Sequence, residues 1–279
     1  MTNIKGNMKI RPKKSLGQHF LNSKHVLERI IDTAKVEKGG VVLEIGPGMG
    51  VLTQELLKAG AKVVAIEKDS SVIPFLEKKF SKEIENGQLK LIVDDILEIN
   101  LNNIGTNLQS KIINSSYAIV ANIPYYITGA ILEKFLEYEP RPEKIVLLVQ
   151  KEVAERIIAR NGKESILSIS VKAFGTPRMI AKVPRGAFTP PPNVDSAILE
   201  ISDISDDRFS SKSVEIKHFF DILKAGFAHK RKFLIRNLET ISNKEKLDSV
   251  FTTLNINRKV RAEEIKQDQW LDITKLIFE

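Results

Sequence analysis

Asn122 and Tyr125, set in the run Ala121-Asn122-Ile123-Pro124-Tyr125-Tyr126, are residue types that do chemistry together. Asn122 offers an amide carbonyl and an NH₂, and Tyr125 offers a flat aromatic face close by. An amide acceptor beside a stacking ring suits a planar substrate that carries an exocyclic amine. The apolar run Tyr117–Ala121 reads as a buried strand, and Pro124 stops it, because proline has no N–H for a ladder. The same residues could also make an ordinary strand-to-helix turn. What separates the two readings lies elsewhere in the chain.

A second strand, Val41–Ile45, runs into Gly46-Pro47-Gly48-Met49-Gly50 and a helix from Val51 to Ala59. Glycines there let a ligand touch the backbone, and the helix N-terminus faces an anionic group. The spacing is not the dinucleotide fingerprint, because Val51 stands where its third glycine belongs. The strand Lys62–Ile66 ends in Glu67, about twenty residues past the glycines, where an acid can bind two ribose hydroxyls. The strand Leu89–Val93 ends in Asp94-Asp95, and a carboxylate there suits an adenine amine, although either Asp could equally begin a turn. Gly46, Glu67, Asp95 and Asn122 therefore stand at the carboxyl ends of successive predicted strands, where an open parallel sheet binds ligands.

Strands alternating with helices must hold that edge. Thr128–Tyr138 and Gln150–Arg160 have helical patterns, while Lys144–Val149, Leu167–Phe174 and Ser196–Ile201 read as further strands. The result is an α/β sheet with helices on both faces. Asn22 or Ser23 is placed to cap a helix carrying Val26, Leu27, Ile30 and Ile31. His19, just before it, reads as structural when taken alone. Phe188-Thr-Pro-Pro-Pro-Asn-Val-Asp-Ser196 is a stiff loop whose Phe188 either walls a pocket against a flipped base or sits in the core.

The polar stretch Ser202–Ser213 reads as a linker, and Val214–Glu279 shows only helical patterns. The predicted organisation is a flexible basic arm over 1–14, a sheet domain over 15–204 and a small all-α domain over 205–279. The arm carries Lys5, Lys9, Arg11, Lys13 and Lys14 and no acid, which suits either phosphates or solubility. Within Lys224–Asn237, cations interleave with Phe227 and Phe233; this suits an RNA backbone, with the apolar residues turned to the core, or a plain charged helix face.

Over all 279 residues the net charge is +8, which favours an anionic partner. The absence of cysteine excludes disulfides and thiolate metal sites. No stretch is apolar enough to be a secretory core or to cross a bilayer, so a soluble cytoplasmic protein is expected.

Assembled, these stretches closely resemble the KsgA family of rRNA adenine N6,N6-dimethyltransferases over nearly the whole length. The matching residues are Gly17-Gln18-His19-Phe20-Leu21, Glu44-Ile45-Gly46-Pro47-Gly48, Glu67, Asp95, Asn122-Ile123-Pro124-Tyr125 and Phe188 through Ser196. The resemblance implies a class I (Rossmann-like) methyltransferase sheet and S-adenosylmethionine as methyl donor. It further implies, as acceptors, two adjacent adenosines near the 3′ end of the small-subunit rRNA, within a 30S-type particle. It implies no metal and a monomer. By the same resemblance His19, Leu21, Gly46, Glu67, Asp95 and Asn122 line the donor pocket. Tyr125 and Phe188 hold the target base, and the Ile123 carbonyl works beside Asn122. The chain departs from the family's common pattern at Tyr126, where Asn is usual, and at Ile123, where Leu is usual. Three rivals stand beside this reading: an Erm-type enzyme acting on large-subunit rRNA, a non-catalytic ribosome assembly or RNA-binding factor, and a methylase of DNA adenine or a protein amide.

Overall fold

The computed structural model describes residues 17–99, 116–137 and 139–279. The predicted basic arm over 1–14 lies outside them. The chain divides into two compact units, one within Met1–Lys151 and Arg178–Ser202, the other formed by Glu152–Pro177 and Asp203–Glu279.

The first unit opens with β1 (Phe20–Leu21) and α1 (Lys24–Ala34), then alternates: β2 (Val41–Ile45), α2 (Val51–Lys58), β3 (Lys62–Glu67), α3 (Ile73–Lys79), α4 (Ser81–Glu85) and β4 (Leu89–Val93). β5 (Tyr117–Asn122), α5 (Thr128–Glu137), β6 (Lys144–Gln150) and α6 (Lys151–Ile157) continue the pattern. After α7 (Ile166–Phe174) come β7 (Thr176–Val183), β8 (Phe188–Thr189) and β9 (Ser196–Ser202). Seven strands form one sheet in the order β4-β3-β2-β5-β6-β9-β7, with helices on both faces. β4 through β6 run parallel, and β9 is antiparallel to β6.

Cover on both faces explains why these strands are unbroken apolar runs; Val42, Leu43, Ile119, Val120 and Leu147 are all fully buried. The chain builds outward from β2 to β4, then returns to β2's other side with β5. That reversal opens a crevice at the strands' carboxyl ends. Glu67 and Asn122 are the last residues of β3 and β5, and the glycine turn follows β2, so all three reach the same edge.

The glycine turn is locked by packing. Gly50 has φ +67°, and a Cβ there would stand 2.5 Å from Cε2 of Phe80 and 2.9 Å from Cδ2 of Leu76. Both neighbours are buried. Gly50→Ala should therefore destabilise the protein by about 1–3 kcal/mol through overpacking and a disfavoured backbone, read as a lower urea midpoint. An unchanged midpoint would show that the turn is loose.

Three elements differ from expectation. Leu167–Phe174 is a helix, not a strand: Ser165 and Ser168 form a reciprocal capping box, with Ser168 N donating to Ser165 Oγ (3.1 Å) and Ser165 N to Ser168 Oγ (2.7 Å). The run Ile166-Leu-Ser-Ile-Ser-Val171 fits both periods, and the cap decides for helix. The strand β7 was not expected, because Pro177 and three charged or polar side chains interrupt it. It ends the sheet order, and an edge strand tolerates proline. The Ser202–Ser213 linker contains a short helix, α8 (Asp207–Ser210), whose Phe209 is buried.

The second unit is helical. Its further elements are α9 (Ile216–Gly226), α10 (Leu234–Leu238), α11 (Lys244–Thr253) and α12 (Gln267–Phe278). Phe174, Phe209 and Phe219 pack ring against ring at 5.0 and 5.2 Å, and Trp270 is fully buried. Because α7 packs on α9 and α12, residues 152–177 group with the C-terminal helices rather than with the sheet that precedes them in sequence. No helix among the described residues is long and apolar enough to cross a membrane.

Candidate active site

A cavity open to solvent lies at the carboxyl ends of β2, β3 and β5. Its lining brings together His19, Leu21, Gly46, Glu67, Asn122, Ile123 and Tyr125 from four separate stretches of sequence.

Glu67 is buried, and its carboxylate is oriented by backbone: Gly48 N donates to Oε2 (3.0 Å) and Asp69 N to Oε1 (2.8 Å). Burial raises its pKa above the usual carboxylate range, and these two N–H groups oppose the rise. Gly46, at φ +66°, has nothing within 4 Å of where a Cβ would stand, so its Cα faces open space. A ligand can approach the backbone there.

At the tip of β5, Asn122 Nδ2 donates to the His19 carbonyl at 2.9 Å. That bond fixes the amide, leaving Oδ1 as the end presented to a ligand. The His19 ring lies nearly parallel to Tyr125, centroids 6.0 Å apart and planes 22° apart. His19 Nδ1 donates to the Pro190 carbonyl at 2.8 Å, which sets its tautomer when neutral. The Tyr125 hydroxyl pairs with Oγ of buried Ser196 at 2.6 Å, and burial pushes its pKa up, so it remains a neutral phenol. Ser196→Ala should cost about 1 kcal/mol in urea unfolding by leaving the half-buried phenol unpaired, whereas Ser196→Thr should restore most of it.

Two sequence motifs far apart in the chain meet as a small antiparallel ladder: Phe20 faces Thr189 and Leu21 faces Phe188. This ladder carries His19 to the tip of β5. Phe188, however, is 3 % exposed and belongs to the apolar core, not to the cavity lining. It supports Leu21 from behind, because cross-strand partners stand side by side. Asp95 is also absent from the lining. Its Oδ2 accepts from Lys68 Nζ at 2.6 Å and its Oδ1 from Leu97 N at 3.0 Å, and the Lys68 bond holds its carboxyl below the usual range.

Glu44 was given no role by the sequence reading, yet it lines the cavity, is 1 % exposed, and has an Oε2 with no hydrogen-bond partner among the described residues. Burial, then the neighbouring Glu67 charge, push its pKa up to about 8. The available signal was an acid in the middle of an apolar strand, Val-Val-Leu-Glu-Ile.

Over residues 9–279 the chain matches the family profile described as ribosomal RNA adenine dimethylase. The chain belongs to the ribosomal RNA adenine dimethylase family. It is a methyltransferase of that family, and S-adenosylmethionine is its methyl donor. Among similar proteins, ribosomal RNA small subunit methyltransferase A of Fusobacterium nucleatum is 38% identical over 98% of this chain and 99% of its own. The protein of the same name from Dehalococcoides mccartyi is 40% identical over 94% and 87%. A solved dimethyladenosine transferase from Plasmodium falciparum superposes with a TM-score of 0.75 at 29% identity, covering 91% of this chain and 96% of that one. The 23S rRNA methyltransferase ErmE shares the fold, with a TM-score of 0.70 at 23% identity over 93% of this chain and all of that one. The residues present suit the family's donor: the space beside Gly46 is clear, and Glu44 holds a buried oxygen without a partner in the same cavity.

In the second unit, the expected basic stretch is exposed from Ala228 through Phe233. Asn237 pins it from beneath, Nδ2 donating to the carbonyls of Gly226 (2.6 Å) and His229 (3.2 Å). Phe227 turns inward onto Trp270 (5.6 Å), as expected, but Phe233 is 42% exposed rather than turned to the core. Among the described residues no cluster of acids and histidines could hold a metal ion.

Proposed function

We propose that this chain methylates N6 of two adjacent adenosines in a loop near the 3′ end of small-subunit rRNA, giving N6,N6-dimethyladenosines during biogenesis of a 30S-type particle. It acts as a cytoplasmic monomer without a metal, and its helical C-terminal region, with Lys230, Arg231 and Lys232 outermost, takes RNA phosphates. The name shared by its curated relatives supports the substrate. The observation that carries the chemistry is Asn122, its Nδ2 held by the His19 carbonyl at the tip of β5, beside the Tyr125 ring and in one cavity with Gly46 and Glu67.

The donor supplies an electrophilic methyl group on a sulfonium. His19, Leu21, Gly46, Glu67 and Asn122 would hold it, with Asp95 reached where Lys68 shares its carboxylate. An adenine N6 is a poor nucleophile because its lone pair is spread into the ring. Asn122 Oδ1 and the Ile123 carbonyl accept its two N–H bonds and stabilise the positive charge that grows on N6. Tyr125 stacks on the ring and fixes its direction of attack; Phe188 backs the wall on which Leu21 sits. Neither a metal nor a strong base is needed, because the amine proton leaves only after nitrogen has become cationic. The target base must leave its stack, which costs a few kcal/mol and favours a loop over a duplex.

Undermethylated small subunits incubated with labelled donor should acquire label at N6 of adenosines in the small-subunit RNA. Label in large-subunit RNA would identify an Erm-type enzyme instead. Tight binding of small subunits without transfer would identify a non-catalytic assembly factor.

A further inference from the structure

Tyr126 is the most exposed large hydrophobic side chain among the described residues, at 68%. Isolated surface aromatics are ordinary, but this one is neither isolated nor loose. It follows Tyr125 in the same short 3₁₀ turn (Tyr125–Ile127). Its ring lies against the N-terminal segment: a Cβ built on Gly17 would stand 3.5 Å from Cε1 of Tyr126 and 3.7 Å from Cβ of Pro124. Gly17 and Pro124 both line the cavity, whereas Tyr126 does not, so the ring rests on the outer side of the cavity's lip. One part of the ring is held and the rest faces solvent.

Lys68 is a cation within electrostatic range of Tyr126, whose neutral phenol is no ion-pair partner for it. Lys68 is already paired with Asp95 at 2.6 Å, so this corner offers little net charge to a phosphate. What it offers is an anchored aromatic surface on the lip of the cavity that Gly17 and Pro124 line.

We infer that Tyr126 is a second stacking platform, taking the nucleobase directly beside the one in the pocket and so positioning the single strand for methyl transfer. The inference rests on the RNA adenine reading above. A base entering the cavity drags its sugar-phosphate neighbour to the lip, and an exposed ring there can stack on any base without reading its sequence. Tyr126 touches no reacting atom; it is a positioning residue.

The test uses the full chain and undermethylated small subunits, with rates measured against subunit concentration. Tyr126→Ala should raise KM about ten-fold while kcat moves less than two-fold, and Tyr126→Phe should restore KM, since the ring and not the hydroxyl is used. Because the contact is stacking and not ion pairing, the ratio of the two KM values should stay the same as salt is raised. A short RNA carrying an abasic site next to the target adenosine should bind the wild-type protein about ten-fold more weakly, and the variant no more weakly than intact RNA. Methylation by the wild type with unchanged KM in Tyr126→Ala overturns the inference alone. Equal sensitivity of wild type and variant to the abasic site also overturns it. No methylation of RNA by the wild type would instead remove the parent reading, and this inference with it.

Discussion

Asn122→Ala should lower the single-turnover rate of methyl transfer by about 10²–10³-fold, the usual cost of removing one aimed dipole from a site where charge develops. Donor binding should weaken much less. Gly46 and Glu67 reach the cavity from β2 and β3, and Gly48 N and Asp69 N hold Glu67 without help from Asn122. Some loss is still expected, because the substitution also removes the bond from Nδ2 to the His19 carbonyl that ties the β1 segment to β5. Asn122→Asp should fare no better. It keeps an acceptor but cannot donate to that carbonyl, and it sets a negative oxygen against the carbonyl's lone pairs. Rapid-quench methylation and equilibrium dialysis of labelled donor separate the two effects. A rate within a few-fold of wild type in Asn122→Ala would remove the amide from the mechanism.

How much of such a site is legible in sequence depends on how local its causes are. Gly46, Glu67 and Asn122 were legible because strand, turn and acid recur in one order along the chain, and a parallel sheet sends successive carboxyl ends to one edge. His19 was not legible from its own surroundings. It joins the site through a ladder between residues 20–21 and 188–189, a pairing between distant segments that leaves no periodic trace. Phe188 shows the converse: an aromatic in an unusual proline-rich loop invites a role in binding, yet only packing reveals that its ring is spent on the core. Leu167–Phe174 reads as a strand because alternate serines mimic strand spacing, and the decisive signal is the cap at Ser165. In each miss, a contact remote in sequence or a single terminal hydrogen bond outweighed the local pattern.

Glu44 gives the second large effect, in the dependence of stability on pH. Its pKa in the fold is about 8, against 4.5 for an ordinary carboxyl, because burial disfavours the charged form. Below about pH 4.5 both folded and unfolded chains hold the proton, so no charge is buried and this group adds no pH dependence. Above that the unfolded chain releases the proton while the folded one keeps it, so stability falls as pH rises and stops falling once the folded pKa near 8 is passed. The slope approaches one proton, about 1.4 kcal/mol per pH unit, and the whole window amounts to a few kcal/mol. Glu44→Gln keeps the shape and cannot ionise. The stability difference between wild type and Glu44→Gln, from urea unfolding at pH 5, 6, 7 and 8, should therefore shift steadily in the variant's favour. A difference that stays flat would mean that Glu44 is ionised in the fold throughout. The same group couples to the donor: a cation entering the cavity favours the carboxylate, so binding near pH 7 should release a proton. Calorimetry in two buffers of different ionisation enthalpy should then give unequal binding heats for wild type and nearly equal ones for Glu44→Gln, a result that packing alone would not produce.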